Sequence, residues 1–91
     1  MKLVDGVMIK TVGGKKVAFT TGRAVLRFRG MIVLNETAEF IVNEMIKGET
    51  DPMKIAEALS LVYTVSPENA KEDVTSLIEL LDSHGLIEKA E

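Results

Sequence analysis

The stretch MIVLNETA, residues 31–38, joins two halves of this 91-residue chain that differ in pattern. Met31–Leu34 is an apolar run with two β-branched residues, which favours a strand. Asn35 is a good helix N-cap, and the negative charge of Glu36 suits the positive end of the helix dipole. We therefore predict a strand that turns directly into a helix.

The part of the chain before this junction is rich in β-forming residues and is interrupted by glycine. Val7–Val12 and Lys15–Thr20 are typical of two strands joined by a tight turn at Gly13 and Gly14, which can supply positive φ angles. Val25–Phe28 alternates in the same way, and we predict a third short strand there. The Met31–Leu34 strand would be the fourth, unless one long bent strand replaces two of these segments.

The part of the chain after the junction has the pattern of three helices. Asn35, Asp51 and Ser66 precede the helix starts, and Gly48 and Gly85 follow two of the helix ends. The predicted boundaries are 36–47, 52–63 and 67–84. Apolar residues at three-and-four spacing mark the buried faces: Ala38, Ile41, Val42, Met45 and Ile46; Ile55, Ala56, Leu59, Val62 and Tyr63; and Ala70, Val74, Leu77, Ile78 and Leu81.

These elements predict an α+β fold of the winged helix-turn-helix class. N-terminal antiparallel strands would precede a three-helix bundle, and residues 1–91 would form one domain. Leu86 and Ile87 form an apolar ending that could fold back onto the core or add a strand.

Composition excludes several classes of function. The chain has no cysteine, which excludes thiol chemistry and zinc-finger spacing and indicates a reducing, cytoplasmic setting. No apolar run approaches the roughly 20 residues that span a bilayer, and the N-terminus lacks the pattern of a signal peptide.

His84 is the only histidine and suits the C-terminal end of the third helix. We find no catalytic set and no metal-ligand spacing, and therefore expect neither an enzyme nor a cofactor.

Charge is distributed unevenly along a chain of net charge −3. Winged helices that bind DNA commonly use a helix with basic or amide side chains, but the third helix is acidic and would be repelled by phosphates. A DNA-binding regulator is therefore the weaker alternative. Asp73 could bind a positive group of a partner or pair locally. The basic residues of the first third are Lys10, Lys15, Lys16, Arg23, Arg27 and Arg29, and the acidic residues of the third helix are Glu68, Glu72, Asp73, Glu79 and Asp82.

The remaining candidate is an interaction surface at the Met31–Leu34 strand. If this strand lies at a sheet edge beside the third helix, its unpaired N–H and C=O groups can bind an added strand. Alternatively, the N-terminal hairpin or a second copy of the chain covers the edge. The pattern leaves these arrangements open, so a structural adaptor or homodimer also stands as an alternative.

Several motifs of the sequence occur in the order and spacing found in PqqD-like proteins. They are VLRFRGMIVLNETA at 25–38, Ile46-Lys47-Gly48, Ile55-Ala56-x-x-Leu59-x-x-x-Tyr63, and Asp73-Val74 followed by Leu77, Ile78, Leu81 and Gly85-Leu86-Ile87. From Val25 to Glu88 the chain resembles this family, and the most specific parts are the Leu-Asn step and the C-terminal motif.

The resemblance implies a small winged helix-turn-helix domain that recognises peptides and is not an enzyme. Such domains have a three-stranded sheet and three helices, and they bind the leader region of a ribosomally made precursor peptide. In the pyrroloquinoline quinone pathway, the member acts as a peptide chaperone. The leader adds as a strand to the third strand, against the third helix, and the precursor passes to a modifying enzyme, often a radical S-adenosylmethionine protein. Neither nucleic acid nor membrane is an implied partner. Carried over, the peptide-binding residues would be Met31, Ile32, Val33, Leu34, Lys71, Asp73, Val74, Thr75 and Ile78.

Overall fold

The computed structural model describes residues 1–89 and has the α+β, winged-helix architecture that the sequence predicts. Antiparallel strands come first and three helices follow. The elements are β1 (Lys2–Leu3), β2 (Val7–Val12), β3 (Lys15–Thr20), a 3₁₀ helix (Gly22–Leu26), β4 (Met31–Leu34), α1 (Glu36–Ile46), α2 (Pro52–Val62), α3 (Pro67–Ser83) and β5 (Ile87–Glu88).

The main sheet has three antiparallel strands in the order β2-β3-β4. Two rows of cross-strand neighbours define its register: Met8, Phe19 and Met31 form one row, and Lys10, Val17 and Val33 form the other. A separate two-stranded sheet pairs β1 with β5. The hairpin at Gly13 and Gly14 therefore supplies two of the three strands of the main sheet.

The predicted strand at Val25–Phe28 is wrong. Residues 22–26 form a 3₁₀ helix, and the N–H groups of Arg27 and Phe28 both donate to the carbonyl of Ala24, at 3.0 and 3.1 Å. The Thr20 hydroxyl donates to the Phe28 carbonyl at 2.6 Å and holds the end of the turn. Because these backbone groups are satisfied locally, the segment does not need a strand partner.

The predicted helix starts are confirmed by their caps. The Asn35 Oδ1 atom accepts from the Ala38 N–H at 2.8 Å, and Asp51 and Ser66 accept in the same way at the starts of α2 and α3. Each cap satisfies an N–H that has no partner within the helix. The asparagine cap places the first turn of α1 immediately after the last residue of β4.

One apolar core lies between the main sheet and the helices. Ile41, Val42, Ile55, Leu59 and Leu81 are at most 1% exposed. Most of the predicted helix faces are buried, but Ile46 and Val62 are 44% and 61% exposed, since they lie at the ends of their helices.

The apolar C-terminal ending does both things that the sequence allowed. Leu86 is 1% exposed and packs in the core, while Ile87 pairs with Leu3 across the small sheet. Among residues 1–89, no helix is long and apolar enough to cross a membrane.

Candidate functional site

β4 is an edge strand of the main sheet. It pairs with β3 on one side, and no strand among residues 1–89 pairs with its other side. The N-terminal hairpin does not cover this edge, because β2 lies at the opposite edge of the sheet. In an antiparallel ladder, alternate residues direct their N–H and C=O groups toward the partner. Two of the four β4 residues therefore direct these groups away from β3, where an added strand could pair with them.

The side chains of β4 alternate between the core and the outer face of the sheet. Ile32 and Leu34 are buried in the core, whereas Met31 and Val33 are 55% and 63% exposed. An added strand beside β4 would therefore have its own side chains on the same two faces.

A groove begins where β4 ends. It lies between the first turns of α1 and one side of α3. Ile41 and Leu77 are buried beneath it, while Leu80 is 42% exposed and offers apolar surface to a ligand. The lining residues are Asn35, Thr37, Ala38 and Ile41 from the β4–α1 junction and Asp73, Ser76, Leu77 and Leu80 from α3.

The C-terminal end of α3 contacts the residues that precede β4. Its C-terminal cap, His84, stacks on Phe28 with 4.4 Å between ring centroids, and the Arg27 Nη1 atom donates to the Gly85 carbonyl at 3.3 Å. These contacts place the end of α3 beside the residues that lead into β4, while Asp73 lies near Asn35, just after β4. An acidic residue, Asp73, thus lies near the end of β4, and a basic residue, Arg27, precedes its start.

The side chain of Asp73, which lines the groove, is exposed. Residues 1–89 contain three salt bridges, namely Lys16–Glu39, Lys47–Glu44 and Lys89–Asp82, and Asp73 takes part in none of them. The Asp73 carboxylate is therefore available to a cation of a ligand. The part of the chain that the structure describes contains no cluster of three or more acidic, histidine or cysteine side chains that could hold a metal ion.

The structure separates the residues that the sequence suggested for the α3 wall. Asp73 lines the groove, but Val74 is 1% exposed and lies in the core. Lys71 lies beside α2, in a depression that also contains Met53 and Leu61. Thr75 borders an acidic surface of α3, and Ile78 is partly buried against the core. Lys71, Val74, Thr75 and Ile78 are thus not among the residues that line the groove.

On the α3 side, the groove is lined by Asp73, which the sequence-based site includes, and by Ser76, Leu77 and Leu80, which that site leaves out. Asp73, Leu77 and Leu80 follow one another at spacings of four and three, which defines one side of a helix. This periodicity was available in the sequence. The rotation of α3 against β4 does not follow from this periodicity, because it depends on packing between distant elements.

The fold and the groove together define a small winged-helix domain, in which a sheet edge with no strand partner among residues 1–89 lies beside a helix-lined groove. A family model, described as coenzyme PQQ synthesis protein D (PqqD), matches residues 22–87. The chain belongs to this family. A comparison with curated protein sequences finds no match.

Two solved structures have the same fold over most or all of the chain. The first, TbiB1 in complex with the TbiA(beta) leader peptide, is 19% identical, covers 100% of this chain and 99% of the other, and has a TM-score of 0.74. The second, lasso peptide synthetase B1 complexed with the leader peptide, is 25% identical, covers 93% of each chain, and has a TM-score of 0.68.

Proposed function

We propose that this chain binds the leader region of a ribosomally synthesised precursor peptide by adding it as a strand to β4. The observation that carries the proposal is the edge of β4, which has no strand partner among residues 1–89 and lies beside a groove with both apolar and polar lining. Membership of the PqqD family and the two similar folds, both solved with leader peptides, support it. Main-chain pairing would supply affinity that depends little on sequence, and side-chain contacts would supply specificity.

The groove would select the side chains on one face of the bound leader. An apolar side chain that enters it would contact Leu80 and Ala38 over the buried Leu77. A lysine or arginine farther along the leader would lie near Asp73. We therefore keep Met31–Leu34 and Asp73 from the sequence-based site and replace the other α3 residues with Ser76, Leu77 and Leu80.

We propose that the chain presents the peptide and does not itself change it. Binding would raise the local concentration of the precursor at a modifying enzyme, for which the radical S-adenosylmethionine class is our candidate. Such an arrangement would operate in the cytoplasm, where the precursor is made. The role needs neither a cofactor nor a nucleic acid.

The proposal is tested by comparing two exposed leucines. The probe is a fluorescein-labelled leader peptide from a short precursor reading frame beside the gene, titrated against the protein by fluorescence anisotropy. Leu80→Lys should weaken binding about tenfold because it places a charge in the groove. Leu61→Lys is the matched control. Leu61 is 88% exposed on α2, outside the groove, so its substitution should leave the affinity within about twofold of the wild type.

Two results would contradict the proposal. The first is equal affinity of the wild type and Leu80→Lys for the leader peptide, with both proteins folded by circular dichroism. The second is a backbone NMR titration in which the leader shifts no signal of residues 31–34 or 73–80. Affinity for random duplex DNA that falls steeply with salt would instead favour the DNA-binding alternative.

A further inference from the structure

The outer face of the main sheet carries a second apolar cluster, separate from the core. Val17 is 4% exposed but does not belong to the core cluster, because its side chain lies on the opposite face of the sheet from Ala18. Phe19, on the same face, is partly exposed and lies under the ammonium group of Lys10, with 4.5 Å from the Lys10 Nζ atom to the ring centroid. Met31 and Val33 extend this cluster to the free edge of β4.

We infer that the bound leader contacts the protein with both of its faces, so that its binding segment is a run of consecutive apolar residues. This inference rests on the proposed function. One set of alternate side chains would enter the groove beside Leu80. The other set would lie on the outer face against Met31 and Val33, and would complete the apolar cluster there.

The register of the sheet carries this inference. Met8, Phe19 and Met31 form one cross-strand row, and Lys10, Val17 and Val33 form the next. A strand added to β4 continues each row by one residue, at about 4.8 Å from Met31 and Val33. Apolar residues at those two positions of the leader would cover the side chains of Met31 and Val33, which are 55% and 63% exposed.

The size of the outer face argues against a second copy of the chain as its occupant. Three strands at about 4.8 Å and two rows of side chains at about 6.8 Å give roughly 200 Å². A stable protein–protein interface needs about 800 Å² from each partner. The cluster is thus too small to hold a dimer by itself, but it is continuous with the edge where the leader would pair.

The first experiment is selection from a random peptide library displayed on phage and panned on the full chain. We expect the enriched peptides to share about four consecutive apolar residues, because both faces of the strand are in contact. Strict alternation of apolar and polar residues would overturn the inference, since only the groove would then select side chains.

The second experiment compares two methionines in the same row. Met31 and Met8 are 55% and 52% exposed and both flank Phe19, but they lie on opposite edges of the sheet. Glutamine has nearly the shape of methionine without its apolar surface. Met31→Gln should weaken the binding of a selected peptide about fivefold, while Met8→Gln should change it less than twofold. Equal losses from both variants, or no loss from either, would overturn the inference.

Failure of this inference can be distinguished from failure of the proposed function. If the selected peptides lose affinity for Leu80→Lys but not for Met31→Gln, the proposed leader binding stands. Only the contact with the outer face of the sheet is then contradicted. Selected peptides that tolerate both Leu80→Lys and Met31→Gln would contradict both proposals. Melting temperatures of the variants, measured by circular dichroism, show whether each change acts on binding or on folding.

Discussion

Asn35 connects the two parts of the candidate site at the scale of a single residue. It follows the last residue of β4, lines the groove, and caps α1 through its Oδ1 atom. The same Oδ1 atom also accepts a hydrogen bond from the Thr37 hydroxyl at 3.1 Å. One side chain thus fixes the angle between the free strand edge and the first turn of the helix beside it.

Asn35→Ala should lower the free energy of unfolding by about 1 kcal/mol, because the Ala38 N–H loses its partner. For a domain of this size, we expect the melting temperature to fall by about 4–8 °C. Asn35→Asp retains an oxygen acceptor and should remain close to the wild type. Thermal unfolding followed by circular dichroism measures both variants. Equal losses from alanine and aspartate would show that the cap hydrogen bond is not the cause.

Two glycines with positive φ angles offer a second comparison. Gly6 has φ +101°, and a Cβ atom added there would lie 2.4 Å from the Thr21 carbonyl oxygen. Gly14 has φ +80° and open space around it. Gly14→Ala should cost about 1 kcal/mol from backbone strain alone, whereas Gly6→Ala should cost more than twice as much because the backbone must also move. Urea unfolding measures the difference, and similar values for the two variants would contradict the predicted clash.

At the scale of the element, β4 is the part of the fold on which the proposed leader binding depends most. Its existence is predicted by a short apolar run, but its position at the edge is not. Among the described residues 1–89, this edge has no strand partner because β2 pairs with the far side of β3 and the segment Gly22–Leu26 forms a helix that adds no strand. The leader would therefore be the fourth strand of the sheet.

Amide hydrogen exchange should show this edge directly. In the free protein, two alternate amides among residues 31–34 should be protected by β3, and the other two should exchange fast. Addition of the leader peptide should slow the fast pair, while the amides on the outer edge of β2 should not change. Protection of all four amides without peptide would mean that a second copy covers the edge. Sizing at two protein concentrations would then test for the dimer.

At the scale of the whole molecule, the N-terminal hairpin is an integral part of the fold. The family model matches residues 22–87, so the hairpin lies outside that match. However, Val7 and Ala18 of the hairpin belong to the core cluster, as do Leu3 and Val4 just before it. β3, the second strand of the hairpin, also pairs with β4.

A chain shortened to residues 22–91 should therefore fail to fold cooperatively. Each large apolar side chain removed from the core contributes about 1.5–3 kcal/mol, and the stability of a typical domain is about 5–15 kcal/mol. Urea unfolding followed by circular dichroism is expected to show no sigmoidal transition. As a control, two glycines inserted at the Gly13–Gly14 turn, where the backbone faces open space, should preserve the transition. A cooperative transition in the shortened chain would contradict the role of the hairpin.

The sequence by itself determined the local features of this protein. Caps and stop residues defined the three helices, two glycines defined the hairpin turn, and the MIVLNETA stretch defined the strand-to-helix junction. These signals depend on residues close together in the chain, so they can be recognised without a partner. The order of motifs also indicated the family.

Only the tertiary structure decided which surfaces are free and which side of α3 lines the groove. Local pattern predicted a strand at Val25–Phe28, where hydrogen bonds to Ala24 and from Thr20 instead hold a helical turn. The family resemblance also implied Val74 for the binding wall, whereas the structure buries Val74 and lines the groove with Leu80. Strand order and helix rotation depend on contacts between residues far apart in the chain, and no local periodicity contains that information.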